Sequence, residues 1–174
     1  MNDSNSMAPD GLEKKRILVI DDQSSIRAVV KSYLKELGFH QVADVTNGLK
    51  GLEYLSVHAV DLVICDWEMP KVSGLECLQK VRALDAGKTL PFLMMTSVSD
   101  TDSVRNAIAE GVSDYLTKPF QPAQLGMKAV KLITRSKHRA CRLPDLMQSR
   151  KSPSDHLAEE NSPQEDSTPD EEQP

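Results

Sequence analysis

Leu62-Val63-Ile64-Cys65-Asp66-Trp67-Glu68-Met69-Pro70 is the stretch that decides the fold. An unbroken apolar run ends in one carboxylate, and a proline follows within a few residues. A half-buried strand would alternate apolar with polar. An uninterrupted run belongs to a parallel strand covered by helices on both faces. In open α/β sheets, ligands bind in the crevice beyond the carboxyl ends of the strands. Asp66 falls at that edge. Alone, a strand-end aspartate is more commonly a turn or cap residue, so its meaning depends on what the other strand ends supply.

Upstream, Arg16-Ile17-Leu18-Val19-Ile20 is a second such run, ending in Asp21 and Asp22. Residues 23–38 then space Ile26, Val29, Val30, Tyr33, Leu34 and Leu37 as one helix face. Ser24 or Ser25 is the expected cap and Gly38 the expected stop. A short strand over 41–45 follows, and Asn47-Gly48 turns into a helix over 49–57. Downstream of Pro70, the pattern predicts a loop to Gly74, a helix over 75–84, and a buried strand over 91–96 ending in Thr96 and Ser97. A fourth helix runs from Asp100 or Asp102 to Glu110, stopped by Gly111. The strand Asp114–Thr117 leads into Lys118-Pro119-Phe120. Pro122 suits the first turn of a last helix, expected to run to about Arg142 before Pro144 ends it. Five strands alternating with five helices make an α/β fold, a (βα)5 doubly wound parallel sheet.

Composition bounds the rest. The chain has 174 residues and a net charge of −5, enough for one domain with an appendage. No apolar run reaches the ~18 residues that would cross a membrane, and residues 1–10 lack a signal-peptide pattern, so the expected location is cytoplasmic with no membrane insertion. Three cysteines without CxxC spacing form neither a disulfide framework nor a zinc site. Residues 128–151 hold eight bases against one acid, whereas 152–174 hold eight acids and no Lys or Arg. The basic stretch lacks the interleaved aromatics of single-strand binders, and the acidic one would repel DNA. No nucleic-acid partner is expected. The organisation predicted is a flexible N-terminus (1–14), a domain over 15–137, a basic extension of the last helix or linker (138–151) and an acidic disordered tail (152–174).

The strand ends gather Asp21, Asp22, Asp66, Thr96, Ser97 and Lys118 on one edge. Three converging carboxylates repel one another unless one is protonated or a cation is bound. An all-oxygen set without His or Cys suits Mg²⁺. A carboxylate beside such an ion, an ammonium and a hydroxyl is also what an aspartyl phosphate requires. Thr96 and the backbone N–H groups near Ser97 are placed to donate to a phosphoryl oxygen.

Asp21-Asp22, Asp66-Trp67-Glu68-Met69-Pro70 with Gly74, Met95-Thr96-Ser97 and Lys118-Pro119-Phe120, each after its own strand, resemble the receiver domain of bacterial two-component response regulators, of the single-domain chemotaxis type. The resemblance covers residues 16 to about 136. It implies a flavodoxin-like sheet in the order 2-1-3-4-5, with Asp66 as the phosphoacceptor. It also implies direct ligation of Mg²⁺ by Asp22, Asp66 and the Glu68 backbone carbonyl, with Asp21 acting chiefly through water. Lys118 would pair with Asp66 and then with the phosphoryl group, and the Lys118–Pro119 bond would be cis. Thr96 and Tyr115 would form the switch, read out on the face of the fourth helix, fifth strand and last helix. The implied partners are a histidine kinase and either a downstream output protein or a histidine phosphotransfer protein. The implied state is a monomer or a phosphorylation-dependent dimer.

Such a receiver is not an enzyme. Three rivals stand beside it. A haloacid-dehalogenase-type phosphatase would use Glu68 as its acid/base, but the short loop after Pro70 leaves little room for a substrate cap. A phosphate-independent binding module would not need Lys118 and Thr96 in place. A phosphorelay intermediate would use the same residues.

Overall fold

In the computed structural model, which describes residues 11–97, 108–136, 140 and 142–147, five parallel strands form one sheet in the order β2-β1-β3-β4-β5. They are β1 (Arg16–Ile20), β2 (Gln41–Val45), β3 (Leu62–Asp66), β4 (Phe92–Thr96) and β5 (Asp114–Thr117). Every residue of β3 and β4 is buried, as their unbroken apolar runs require. The register sets Asp66 opposite Met95 and Thr96 opposite Thr117, so the polar strand ends finish along one edge.

Successive strand side chains point to opposite faces, and each face has its own cover. Ile17, Val19, Ile64, Leu93 and Met95 pack with α1 (Ser24–Glu36) and the last described helix, α4 (Pro122–Arg135). Leu18, Ile20, Val63, Cys65, Phe92 and Met94 pack with α2 (Gly48–Val57) and α3 (Gly74–Arg82). Asn47 caps α2 by accepting the Lys50 N–H at 2.9 Å, and Ser73 with Glu76 closes a capping box on α3. Gly38 takes the left-handed conformation after α1 at φ 92°.

Several expectations need correction. Neither Ser24 nor Ser25 caps α1; the N-cap is Gln23, without a side-chain cap bond. The flexible start does not extend to residue 14. Leu12–Lys14 form a 3₁₀ turn, Leu12 is buried under α1 and α4, and Lys15 pairs with Asp61 at 3.0 Å. The last helix stops at Arg135, where Ser136 adopts an extended conformation, and does not run to about Arg142. Residues 142–147 are not an extension of that helix. They return to the other face of the sheet, with Pro144–Met147 as a 3₁₀ turn against α2. Charge dominated the reading of this stretch, but Leu143 and Leu146 bury in the core and fix its path.

Most of the predicted helix from Asp100 or Asp102 to Glu110 lies outside the described residues, as do residues 1–10 and the acidic tail 152–174. Its last described residues, Ile108 and Ala109, are helical, and Gly111 follows at φ 83°. Among the described residues, no helix is long and apolar enough to cross a membrane.

Candidate functional site

The site is assembled where β1, β3, β4 and β5 end. β1 delivers Asp21 and Asp22, β3 delivers Asp66, β4 delivers Thr96 and β5 leads into Lys118. One carboxylate oxygen from each of Asp21, Asp22 and Asp66 lies within 4.8 Å of the others. Asp21 is fully buried, Asp66 is 4% exposed and Asp22 faces solvent. Such a cluster needs a countercharge. Lys118 supplies it, donating from Nζ to Asp21 Oδ2 and to Asp66 Oδ1, both at 2.9 Å.

Backbone geometry aims that lysine. Its N–H donates to the Thr96 carbonyl at 2.7 Å, and the Lys118–Pro119 bond is cis, as the resemblance implied. Burial lowers the Lys118 pKa, but its hydrogen bonds to Asp21 and Asp66 outweigh that and leave it above the ordinary lysine value. Burial pushes the Asp66 carboxyl above the usual carboxylate range, with Lys118 pulling the other way. The neighbouring Cys65 is a buried thiol, pushed well up by burial, and is the small hydrophobe its sequence position predicts.

The loop after Asp66 is held against the site. The Gly74 N–H donates to the Trp67 carbonyl at 2.9 Å. A Cβ at position 74 would stand 2.1 Å from the Asp66 carbonyl oxygen, so only glycine lets α3 begin this close. Across the mouth, Ser97 Oγ donates to Glu68 Oε2 at 3.1 Å. Thr96 is buried at 3% exposure beside Asp66's strand. Tyr115 is half-buried against the α2–α3 core, with the Lys128 ammonium 5.5 Å from its ring centroid. All the strand-end candidates therefore meet at one edge, with Tyr115 on the strand beside them.

Arg27 escaped the sequence reading. Its Nη1 donates to the carbonyls of Asp21 at 2.8 Å and Asp22 at 3.1 Å, while its Nε bonds Asp44 at 2.9 Å. It thus holds the acidic turn from behind, as does the Gln23 N–H donated to Asp21 Oδ1 at 2.8 Å. The one signal was an Arg in the first turn of the helix after Asp21-Asp22, and apolar periodicity does not register a charged residue that bonds backbone.

A flavodoxin-like sheet with an acid pocket and a strand-end lysine defines the receiver class. Residues 17–131 match the response regulator receiver domain family, and the chain belongs to that family. It is 37% identical over 120 residues to chemotaxis protein CheY-3 of Vibrio cholerae, covering 69% of this chain and 92% of the relative. Against chemotaxis protein CheY of Pseudomonas aeruginosa the identity is 36%, covering 69% and 97%. Among solved structures, CheY4 of Vibrio cholerae superposes with a TM-score of 0.63 at 28% identity, covering 68% of this chain and 98% of that one. The receiver domain of a sensor histidine kinase from Pseudomonas aeruginosa, with a magnesium ion coordinated in its active-site cleft, gives a TM-score of 0.64 at 25% identity, covering 69% and 98%.

Proposed function

We propose that this receiver accepts a phosphoryl group on Asp66 from a histidine kinase in the cytoplasm and signals by binding a partner in its phosphorylated state. The observation that carries this is the ammonium of Lys118 bridging Asp21 and Asp66 at 2.9 Å each, with Asp22 completing the carboxylate triad. In the transfer, an Asp66 carboxylate oxygen forms the new bond to phosphorus as the phosphorus–nitrogen bond of the phosphohistidine breaks, and the leaving imidazole takes up a proton. Lys118 neutralises charge on the phosphoryl oxygens, Thr96 donates its hydroxyl to one of them, and the Ser97 N–H serves another. Asp66 is itself the acceptor and loses the group again to water, so the protein acts as a switch and not as an enzyme on a separate substrate.

The donor set fits a hard divalent cation. Asp21, Asp22, Asp66 and the Glu68 backbone carbonyl are the groups that would hold Mg²⁺, and all are oxygens. When bound, the ion supplies further neutralisation of the phosphoryl charge. Inward movement of Thr96 and Tyr115 would carry the signal to the readout face. The curated relatives are named as chemotaxis proteins, and chemotaxis is the pathway we assign.

The test uses the half-buried Trp67 beside Asp66. Its fluorescence is followed during titration with Mg²⁺ and then with acetyl phosphate, with Asp66→Asn as control. A metal-dependent change followed by a slow, reversible phosphodonor change, absent in the control, is expected. An equal phosphodonor response in Asp66→Asn would remove Asp66 from the role.

A further inference from the structure

The chain beyond residue 131 lies outside the family match, yet residues 142–147 are built into the fold. Leu143 is 1% exposed and Leu146 4%, and both join the core beneath α2 and α3. The Leu143 N–H donates to the Leu55 carbonyl at 2.8 Å, and the Leu146 N–H turns back to the Leu143 carbonyl at 3.1 Å. Leu55 lies in the last turn of α2, where carbonyls have no partner within the helix. The segment therefore satisfies a helix end and fills an apolar groove at once. The groove is also longer than its occupant. A cavity of about 390 Å³ continues between Arg142, Leu143 and Pro144 on one side and Ala83–Ala86 on the other.

We propose that residues 142–147 form a displaceable strap: a short Leu-Pro-Asp-Leu segment of this chain that occupies, in cis, a recognition groove along α2 and the end of α3. Two observations favour a strap over an ordinary part of the core. Both sheet faces are already covered by α1 to α3 and α4. The groove ends in space the segment does not fill. The strap sits at the C-terminal end of α2, which in a parallel βα unit lies at the edge of the sheet away from Asp66. Its release therefore leaves the acid pocket intact while exposing a groove shaped for a turn that presents two leucines three residues apart.

The experiment uses the full chain carrying Leu143→Asp with Leu146→Asp, and a milder Leu143→Ala/Leu146→Ala pair. Circular dichroism checks the fold, and hydrogen exchange is read over residues 51–58. A labelled synthetic peptide spanning residues 142–147 is titrated against parent and variants. The expected result is retained secondary structure, exchange at the end of α2 faster by about tenfold or more, and saturable peptide binding to the opened variants but not to the parent. Unchanged exchange, or no peptide binding by a folded variant, would overturn the proposal. So would loss of the whole fold in both variants, because the segment would then be integral core. A concentration-dependent parent dimer that dissociates in the variants would place the segment in trans and overturn the cis assignment.

Discussion

Replacing Lys118 with alanine should turn the acid pocket from a satisfied ion-pair network into a repulsive pair of buried carboxylates. Lys118 touches both Asp21 and Asp66 at 2.9 Å, and its side chain is only 14% exposed. With it gone, carboxylate oxygens up to 4.8 Å apart face each other without a countercharge. At an effective dielectric of ~20 that separation corresponds to a repulsion of about 3.5 kcal/mol. The fold bears that loss. The expected destabilisation is about 3–5 kcal/mol, the range for removing one partner of a buried pair.

The assay is urea denaturation in EDTA. The loss should shrink as pH falls through the carboxylate range, because a protonated carboxyl no longer repels its neighbour. Mg²⁺ should bind the variant more tightly than the parent, since Lys118 no longer competes for the same oxygens. At a hundredfold excess over its dissociation constant it returns about 2.7 kcal/mol by mass action. A variant as stable as the parent at neutral pH, or one with weaker Mg²⁺ affinity, would refute the reasoning.

Arg27→Ala should slow phosphorylation and weaken Mg²⁺ binding without moving Lys118, because the carbonyls of Asp21 and Asp22 lose their tether. Hydrogen bonds to charged groups contribute about 1.5–3 kcal/mol, and rates with a small phosphodonor would show the loss. Gly74→Ala should cost more than the usual ~1–3 kcal/mol of overpacking, since the intruding Cβ meets backbone at 2.1 Å; denaturation together with phosphodonor kinetics would detect it. Ser73→Ala, which breaks the α3 capping box, should cost about 1 kcal/mol in the same denaturation assay. Asp44 is held below its ordinary value by the Lys31 hydrogen bond, against burial and with help from Arg27. The unfolded chain therefore binds the proton more readily, so this group's contribution is complete above its ordinary value of 3.8 and fades as pH falls through the lower folded value. Asp44→Asn should accordingly flatten the acid limb of the stability–pH profile.

The strand ends were legible because their chemistry is written in sequence. Continuous apolar runs gave β3 and β4, and each polar residue that closes a run stands at the crevice edge. Asp21, Asp22, Asp66, Thr96 and Lys118 needed only the topology rule to be brought together. Arg27 was not legible, because its role is to bond backbone carbonyls that no side-chain pattern reports. Leu12 and Leu143 were hidden for a related reason. Each is an isolated apolar residue in a polar stretch, and burial at such positions follows from how the chain returns, which local periodicity does not encode. The basic run over 128–151 reads as one surface, yet Lys128 and Lys131 are paired with Asp114 and the chain breaks direction after Arg135.

The central claim is that Asp66 carries the phosphoryl group, and intact mass tests it most directly. The protein is incubated with acetyl phosphate in the presence and absence of Mg²⁺ and read at once, beside Asp66→Asn. The account predicts a gain of one phosphoryl group with Mg²⁺, reversed on removal of the donor and absent in the variant. A stable gain that persists in Asp66→Asn, or no gain in the parent with Mg²⁺ present, would contradict it.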